Sequence, residues 1–491
     1  MDLSPILNPL NDAQRAAVTA APGPVLVLAG AGSGKTRVLT HRIAWLIQAD
    51  GVSPHGILAV TFTNKAAGEM RSRVERLLGI PGGALWIGTF HGIAHRLLRI
   101  HWREAKLAQG FQILDSEDQQ RLIKKVIKAA ELDESRWVPR EVQWFINHNK
   151  DEGRRPQQLK DGNDPSRSQL IKLYAAYEEA CARNGVVDFA ELLLRAFELW
   201  RDNPPLLDHY RRRFRHVLVD EFQDTNAIQY AWMRLLAPPV QPPTETDRAP
   251  ASYPFVVGDD DQSIYRFRGA QAENLQQFRR DYRDAQLFRL EQNYRSTSNI
   301  LEAANGLIAH NASRLGKNLW TSGARGEPIR LYTAFNERDE AEFVTHRIRE
   351  HAAQGGLRRE VAILYRSNAQ SRVFEEAFLS ARVPYRVYGG LRFFERAEIK
   401  DALAYLRLIA NRRDDASFER VVNLPPRGIG AKSLDVVREA ARGAGSSLWE
   451  AAAACIASGA LGSKAAASMH GFMALIERLA RETAPFALHE Q

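Results

Sequence analysis

Only two cysteines, Cys181 and Cys455, occur in 491 residues. Two thiols can build neither a disulfide framework nor a four-ligand zinc site, so a reducing compartment is expected. No run reaches the roughly 18 apolar residues that suggest a membrane span. The start, Met1 to Pro5, carries no basic stretch and no apolar signal-peptide core. A cytoplasmic chain with no membrane partner is expected. No internal repeat of solenoid period is visible. A large charge excess is also missing: 67 Lys and Arg against 58 Asp and Glu leave +9. That balance mildly favours a polyanionic partner but describes a solvated basic surface equally well. What is present is ordinary globular usage, 45% hydrophobic and 25% charged, which excludes a disordered or collagen-like chain. The length suggests about three domains.

Four short apolar runs predict buried parallel strands: Gly23 to Gly30, Gly56 to Thr63, Arg215 to Asp220 and Pro254 to Asp259. Helical patterns separate them, as in a layered α/β domain. From about His91 to Tyr210 strand-like runs are nearly absent. Ser116 and Gln119 are spaced as a capping box, and Leu122, Ile123, Val126 and Ile127 share one helical face. Leu170, Ile171, Tyr174 and Tyr177 repeat that pattern, so a helical insertion is predicted. Ala237 to Pro254 is rich in proline and polar residues and predicts an exposed loop. A second α/β pattern starts near Leu290, with Glu327 to Tyr332 and Val361 to Tyr365 as strand candidates. Gly389 and Gly390 then lead into a helical segment.

Ala29, Gly30, Ala31, Gly32, Ser33, Gly34, Lys35 and Thr36 follow the first strand and open a helix. This is the Walker A pattern with Ala29 at the first glycine position. Backbone N–H groups of Gly32, Ser33 and Gly34 can turn toward phosphate oxygens, because glycine tolerates the dihedrals required. Lys35 would reach the β- and γ-phosphates, and the Thr36 hydroxyl would hold Mg²⁺. The helix N-terminus adds a favourable dipole. Guanine recognition is excluded, since Asn64 and Lys65 are followed by Ala66 and Ala67 instead of the Asn-Lys-x-Asp code. The third strand ends in Asp220 and Glu221. Adjacent carboxylates fit poorly in a core but suit a Walker B pair, with Asp220 on Mg²⁺ and Glu221 orienting and deprotonating the attacking water.

With these go longer motifs: Leu10 to Gln14, Ala59 to Ala67, Gly88 to Gly92, Val219 to Asn226, Val257 to Tyr265, Leu290 to Ser296 and Tyr388 to Arg396. Together they make the chain resemble superfamily 1 helicases of the UvrD/Rep/PcrA type over essentially its whole length. The resemblance implies an α/β fold of tandem RecA-like P-loop motor domains with helical insertions, the second motor domain incomplete. The expected division is 1–90 and 211–290 for the first motor domain, 91–210 for its insertion, 291–388 for the first part of the second motor domain, and 389–491 for an incomplete helical mobile subdomain.

The same resemblance implies residue roles. Gln14 would read the adenine edge, Tyr294 would stack on its face, and Arg37 would sit near the nucleotide. Gln262 would sense the γ-phosphate and couple it to the DNA groove. Arg295 would contact the γ-phosphate when the cleft closes. Phe62, Phe189, Tyr265 and Phe267 are implied aromatic platforms for bases, with Asn64, His91, Arg268 and Arg366 on phosphate or sugar. Taken singly, Phe62 and Phe189 would serve as core residues; their places at strand-to-helix junctions favour the platform. The family usually carries Trp where this chain has Phe267, which predicts persistent but weaker stacking. Pro425 to Lys432 resembles a helix-hairpin-helix turn, in which Gly428 and Gly430 would let backbone amides approach a DNA phosphate.

The implied activity is that of an ATP- and Mg²⁺-dependent 3′-to-5′ DNA helicase, of a family that serves nucleotide excision and mismatch repair. It would act on single-stranded DNA and single-strand/duplex junctions, possible repair proteins being its protein partners. Two later family stretches, His-x-x-Lys-Gly-Leu-Glu and Thr-Arg-Ala with a second arginine finger, are missing from the sequence. The expectation is therefore a C-terminally truncated chain that binds ATP but hydrolyses and unwinds poorly. The alternative is an ATP-gated DNA-binding fragment.

Overall fold

The computed structural model describes residues 2–79, 85–239, 252–311, 314–388 and 397–484. Most of the expected proline-rich loop and of the stretch from Tyr388 to Arg396, including Gly389 and Gly390, lies outside these residues. The chain forms two compact units, Met1–Ile329 and Arg330–Gln491.

The first unit is built on strands β1 (Val25–Ala29), β2 (Ile57–Thr61), β3 (Trp86–Thr89), β4 (Gln112–Ile113), β5 (Val186–Val187), β6 (His216–Val219), β7 (Tyr253–Gly258) and β8 (Gln286–Leu290). Six of them make one parallel sheet in the order β3-β2-β6-β7-β1-β8. The four predicted strands are its centre; β3 and β8 were not anticipated. Successive side chains alternate between two cores, as the pleat requires. Leu26, Leu28, Leu58, Val60, Val217 and Val219 face the helices Phe90–Ile100, Phe189–Arg201 and Ala227–Leu236. Val25, Val27, Ile57, Ala59 and Leu218 face Lys35–Gln48 and Asn64–Leu78. Burial on both faces explains why these strands read as continuous apolar runs.

The insertion is helical, apart from the short parallel pair β4-β5. Ile123, Val126, Ile127, Tyr174 and Tyr177 form its core, with Leu122, Leu170 and Ile171 packed at the margin. The expected capping box at Ser116 does not form. The N-cap of helix Ser116–Ala129 is Asp115, whose Oδ1 accepts the Asp118 N–H at 2.8 Å. Gln119 turns inward instead, donating to Asn147 at 2.8 Å. An ionised carboxylate at the first orphan amides outcompetes the neighbouring hydroxyl.

In the second unit, helices Glu337–Ala353 and Ser371–Ser380 pack through Ala341, Ile348, Phe374 and Phe378. Five further helices between Ala397 and Thr483 share a separate core around Phe418 and Phe472. The runs Glu327 to Tyr332 and Val361 to Tyr365, expected as strands, form none. Leu331 is 94% and Leu364 95% exposed. Strand propensity is realised only against a neighbouring strand, and these runs have no ladder partner among the described residues. No helix among the described residues is long and apolar enough to cross a membrane.

Candidate nucleotide site and nucleic-acid interface

Parallel strands place their carboxyl ends on one edge, where loops collect functional groups. Ala29, Thr61, Thr89, Asp220 and Asp259 all stand at that edge. After Ala29 the chain turns through Gly32 (φ 67°) and Gly34 (φ 91°), backbone that side chains rarely adopt. A Cβ on Gly34 would stand 2.7 Å from Gln14 Nε2, and one on Gly32 would stand 2.8 Å from Arg295 Cβ. Gly34 then caps the helix Lys35–Gln48, in whose first turn Thr36 lies. The Ser33 N–H and hydroxyl both fold back to the Gly30 carbonyl, at 3.3 and 2.7 Å.

Lys35 Nζ lies 3.5 Å from Glu221 Oε2. Asp220 is buried, and its Oδ1 accepts the Glu221 N–H at 3.0 Å. Burial, then the Glu221 charge, pushes its carboxyl up to about 7 despite Lys35. Glu221 holds φ 49°, strained for a residue with a side chain. Its carboxylate accepts from Gln223 Nε2 at 2.9 Å. Asp224, which sequence reasoning left out, is a third carboxylate here. Its Oδ1 is buried without a hydrogen-bond partner. Burial, then Glu221, raises it to about 7 as well. One lysine thus faces three carboxylates. A site short of positive charge, beside a glycine cradle, fits a triphosphate with a divalent cation.

The implied adenine contacts lie close by. Gln14 is buried; its Nε2 donates to the Ser33 carbonyl at 2.8 Å and its Oε1 accepts the Asn11 N–H at 3.2 Å. In this state its amide is spent on the loop and the helix cap. Tyr294 is half exposed, and its hydroxyl accepts from Asn11 Nδ2 at 2.6 Å. Arg37 is exposed, 3.5 Å from the Pro9 carbonyl. The 293–295 loop sits directly on the phosphate loop. Asn293 Nδ2 donates to the Ala31 carbonyl at 2.6 Å and the Tyr294 N–H to that of Gly32 at 3.0 Å. Asn293 Oδ1 accepts the Arg295 N–H at 2.7 Å. Gln262 donates from its N–H to the Asp259 carbonyl at 3.0 Å and from Nε2 to the Asp259 carboxylate.

Two aromatic groups stand on the same edge. Phe62 stacks on Tyr265 at 4.7 Å, and Tyr265 neighbours Phe267 at 6.1 Å. His91 meets Phe189 edge-on at 6.0 Å. Phe267 is 73% and Phe189 55% exposed, far from a core position. Asn64 opens its helix beside them, exposed, and accepts from the Thr89 hydroxyl at 3.5 Å. Burial drives His91 down to about 4, which leaves its ring neutral near pH 7. The Arg268 side chain lies outside the described residues. Arg366, Gly428 and Gly430 belong to the second unit. Arg366 is exposed there; Gly428 has φ 76°, Gly430 caps helix Ala431–Ala444, and a Cβ on either glycine would meet open space.

A parallel sheet carrying a phosphate cradle after one strand and a carboxylate pair after another defines a P-loop nucleoside-triphosphatase. Residues 10–283 match the UvrD/REP helicase N-terminal domain, and residues 288–452 the UvrD-like helicase C-terminal domain. DNA helicase II of Escherichia coli K12 is 60% identical over 491 residues, covering all of this chain and 67% of that protein. DNA helicase II of Haemophilus influenzae is 53% identical over 495 residues, 66% of its length. ATP-dependent DNA helicase PcrA of Staphylococcus aureus Mu50 is 41% identical over 489 residues, 65% of its length. The chain belongs to the UvrD-like DNA helicase family, and it spans about two thirds of the length of these relatives.

Proposed function

We propose that the chain is the ATP- and DNA-binding part of a 3′-to-5′ repair helicase, coupling ATP hydrolysis to movement along single-stranded DNA. The carrying observation is the group of one lysine and three carboxylates beside the glycine turn, with exposed aromatics on the same sheet edge. The triphosphate would lie against Gly32, Ser33 and Gly34, with Lys35 on its terminal phosphates. Thr36 and Asp220 would hold Mg²⁺, which supplies charge neutralisation at the phosphates. Glu221, pinned by Gln223, would orient water. Phe62, Tyr265, Phe267 and Phe189 would stack bases without sequence preference. Single strands and strand/duplex junctions are the proposed substrates.

A fluorescent ATP analogue and a labelled oligonucleotide test this together. Lys35→Ala should lose nucleotide binding and keep oligonucleotide binding; loss of both, or of neither, refutes the separation of the two sites. A second reading, ATP-gated DNA binding without unwinding, is favoured by the absence of strands at Glu327 to Tyr332 and Val361 to Tyr365. It expects strand displacement to be absent and DNA-stimulated turnover to be at least about 10³-fold below that of the longer relatives. Turnover near that of the longer relatives would overturn it.

A further inference from the structure

The three consecutive aspartates after β7 bring their oxygens within 4.8 Å of one another. Such a cluster needs a cation, and Lys317 supplies it. Its ammonium lies 2.6 Å from Asp259 Oδ1, 2.6 Å from Asp260 Oδ1 and 2.8 Å from Asp261 Oδ2. The Lys317 side chain is buried, as is that of Asp259. Arg314 pairs in bidentate fashion with Asp261 at 2.8 and 2.9 Å, and the Leu315 N–H reaches Asp260 Oδ2 at 2.6 Å.

Asp259 is the shared member. Its Oδ1 holds Lys317 and the Asp261 N–H; its Oδ2 holds Gln262 Nε2. Its N–H donates to Gln223 Oε1 at 2.9 Å, and Gln223 Nε2 donates to Glu221. Close approach is required here: a Cβ on Gly258 would stand 3.0 Å from Gln223 Oε1. Beyond Lys317, Leu319 packs against Gly30, and the Trp320 carbonyl accepts the Asn293 N–H at 2.8 Å. Asn293 in turn holds the Arg295 backbone.

We propose that Lys317 is a positioning residue for the hydrolysis site, fixing Asp259 so that Gln262 on one side, and Glu221 through Gln223 on the other, keep one register with the loop carrying Arg295. This rests on the nucleotide site proposed above. The Lys317 ammonium is spent on the three aspartates. It acts through Asp259, as a buried ammonium can when three acceptors fix its direction.

The test compares Lys317→Gln, Lys317→Arg, Gln262→Ala and the double variant Lys317→Gln/Gln262→Ala in the whole chain. Two quantities are read: backbone hydrogen exchange over residues 258–263 and 291–296, and the change in oligonucleotide affinity caused by a non-hydrolysable ATP analogue. Lys317→Gln should speed exchange at Asp261 and Gln262 about 10-fold or more and reduce the nucleotide effect to the level of Gln262→Ala. The double variant should be no worse than Gln262→Ala alone, and Lys317→Arg should restore most of both readouts. Additive losses, no rescue by arginine, or unchanged exchange would overturn the proposal. If Lys317→Gln does not fold, Asp260→Asn removes one acceptor without stranding a charge and should shift both readouts in the same direction. A wild-type chain that binds no nucleotide would refute the proposed function, while the exchange comparison would still decide the role of Lys317.

Discussion

Two lysines of the first unit, the buried Lys150 and the half-buried Lys35, have surroundings that differ. Lys150 lies 2.7 Å from Asp188 and 2.9 Å from Glu191. Arg155 spans Glu178, Glu191 and Glu198, and Arg195 reaches Glu191 at 2.7 Å. The Tyr177 hydroxyl and Gln119 Nε2 also donate to Asp188 Oδ2, the oxygen that holds Lys150. Burial alone would lower Lys150 and raise Glu191; the opposite charges win, holding Lys150 well above and Glu191 well below their usual values. Around Lys35 the reverse holds. Asp220 and Asp224 are both raised to about 7, and Asp224 keeps a buried oxygen unpartnered. A network in which every carboxylate meets a cation is finished and belongs to the scaffold. One in which a buried carboxylate oxygen stays unpartnered is unfinished and belongs to a ligand that brings positive charge with it. The finished network also has work nearby, because Asp188 caps the helix whose first residue is the exposed Phe189.

The sharpest way to break this contrast is to exchange the effects of the two lysines. Lys35→Ala should weaken nucleotide binding about 100-fold or more, as loss of a charge-assisted phosphate contact does, with little change in the denaturant midpoint. Lys150→Met should do the opposite. It leaves the buried Asp188 without a cation and should cost about 3–5 kcal/mol in urea unfolding. Nucleotide affinity of the folded fraction should be unchanged.

A smaller effect carries a pH signature. Asp224 is raised in the folded state, so its contribution to stability falls as pH rises from the unfolded value of 3.8 through about 7. Asp224→Asn should therefore stabilise the nucleotide-free chain at pH 8, by about 1 kcal/mol after solvent screening, and do little at pH 4. Equal effects at both pH values would remove the charge-excess argument. The smallest test concerns the scaffold alone. Asp115→Ala should cost about 1 kcal/mol as a lost N-cap, and Ser116→Ala clearly less, in matched thermal melts.

What the sequence disclosed follows the same division. The phosphate loop and the Asp220-Glu221 pair were legible because glycines and charges break otherwise apolar strands. The central strands were legible because burial on both faces leaves unbroken apolar runs. β3, with Gly88 inside it, and β8, with Arg289 inside it, give no such run. Glu327 to Tyr332 and Val361 to Tyr365 have strand composition, but composition does not reveal whether a partner strand is present. Asp115 and Ser116 are adjacent cap candidates, and only geometry chooses between them. Lys317 lies far along the chain from Asp259 in a segment without periodicity, so no local pattern joins them. Asp224 read as part of a motif, and its unpartnered oxygen emerges only from packing.

The most direct test is calorimetric titration of a non-hydrolysable ATP analogue with Mg²⁺ into the wild-type chain, Lys35→Ala and Lys150→Arg. One molecule should bind the wild type and Lys150→Arg with matching affinity, and Lys35→Ala should give no detectable heat. Undiminished binding to Lys35→Ala would contradict the assignment of the glycine turn as the nucleotide site.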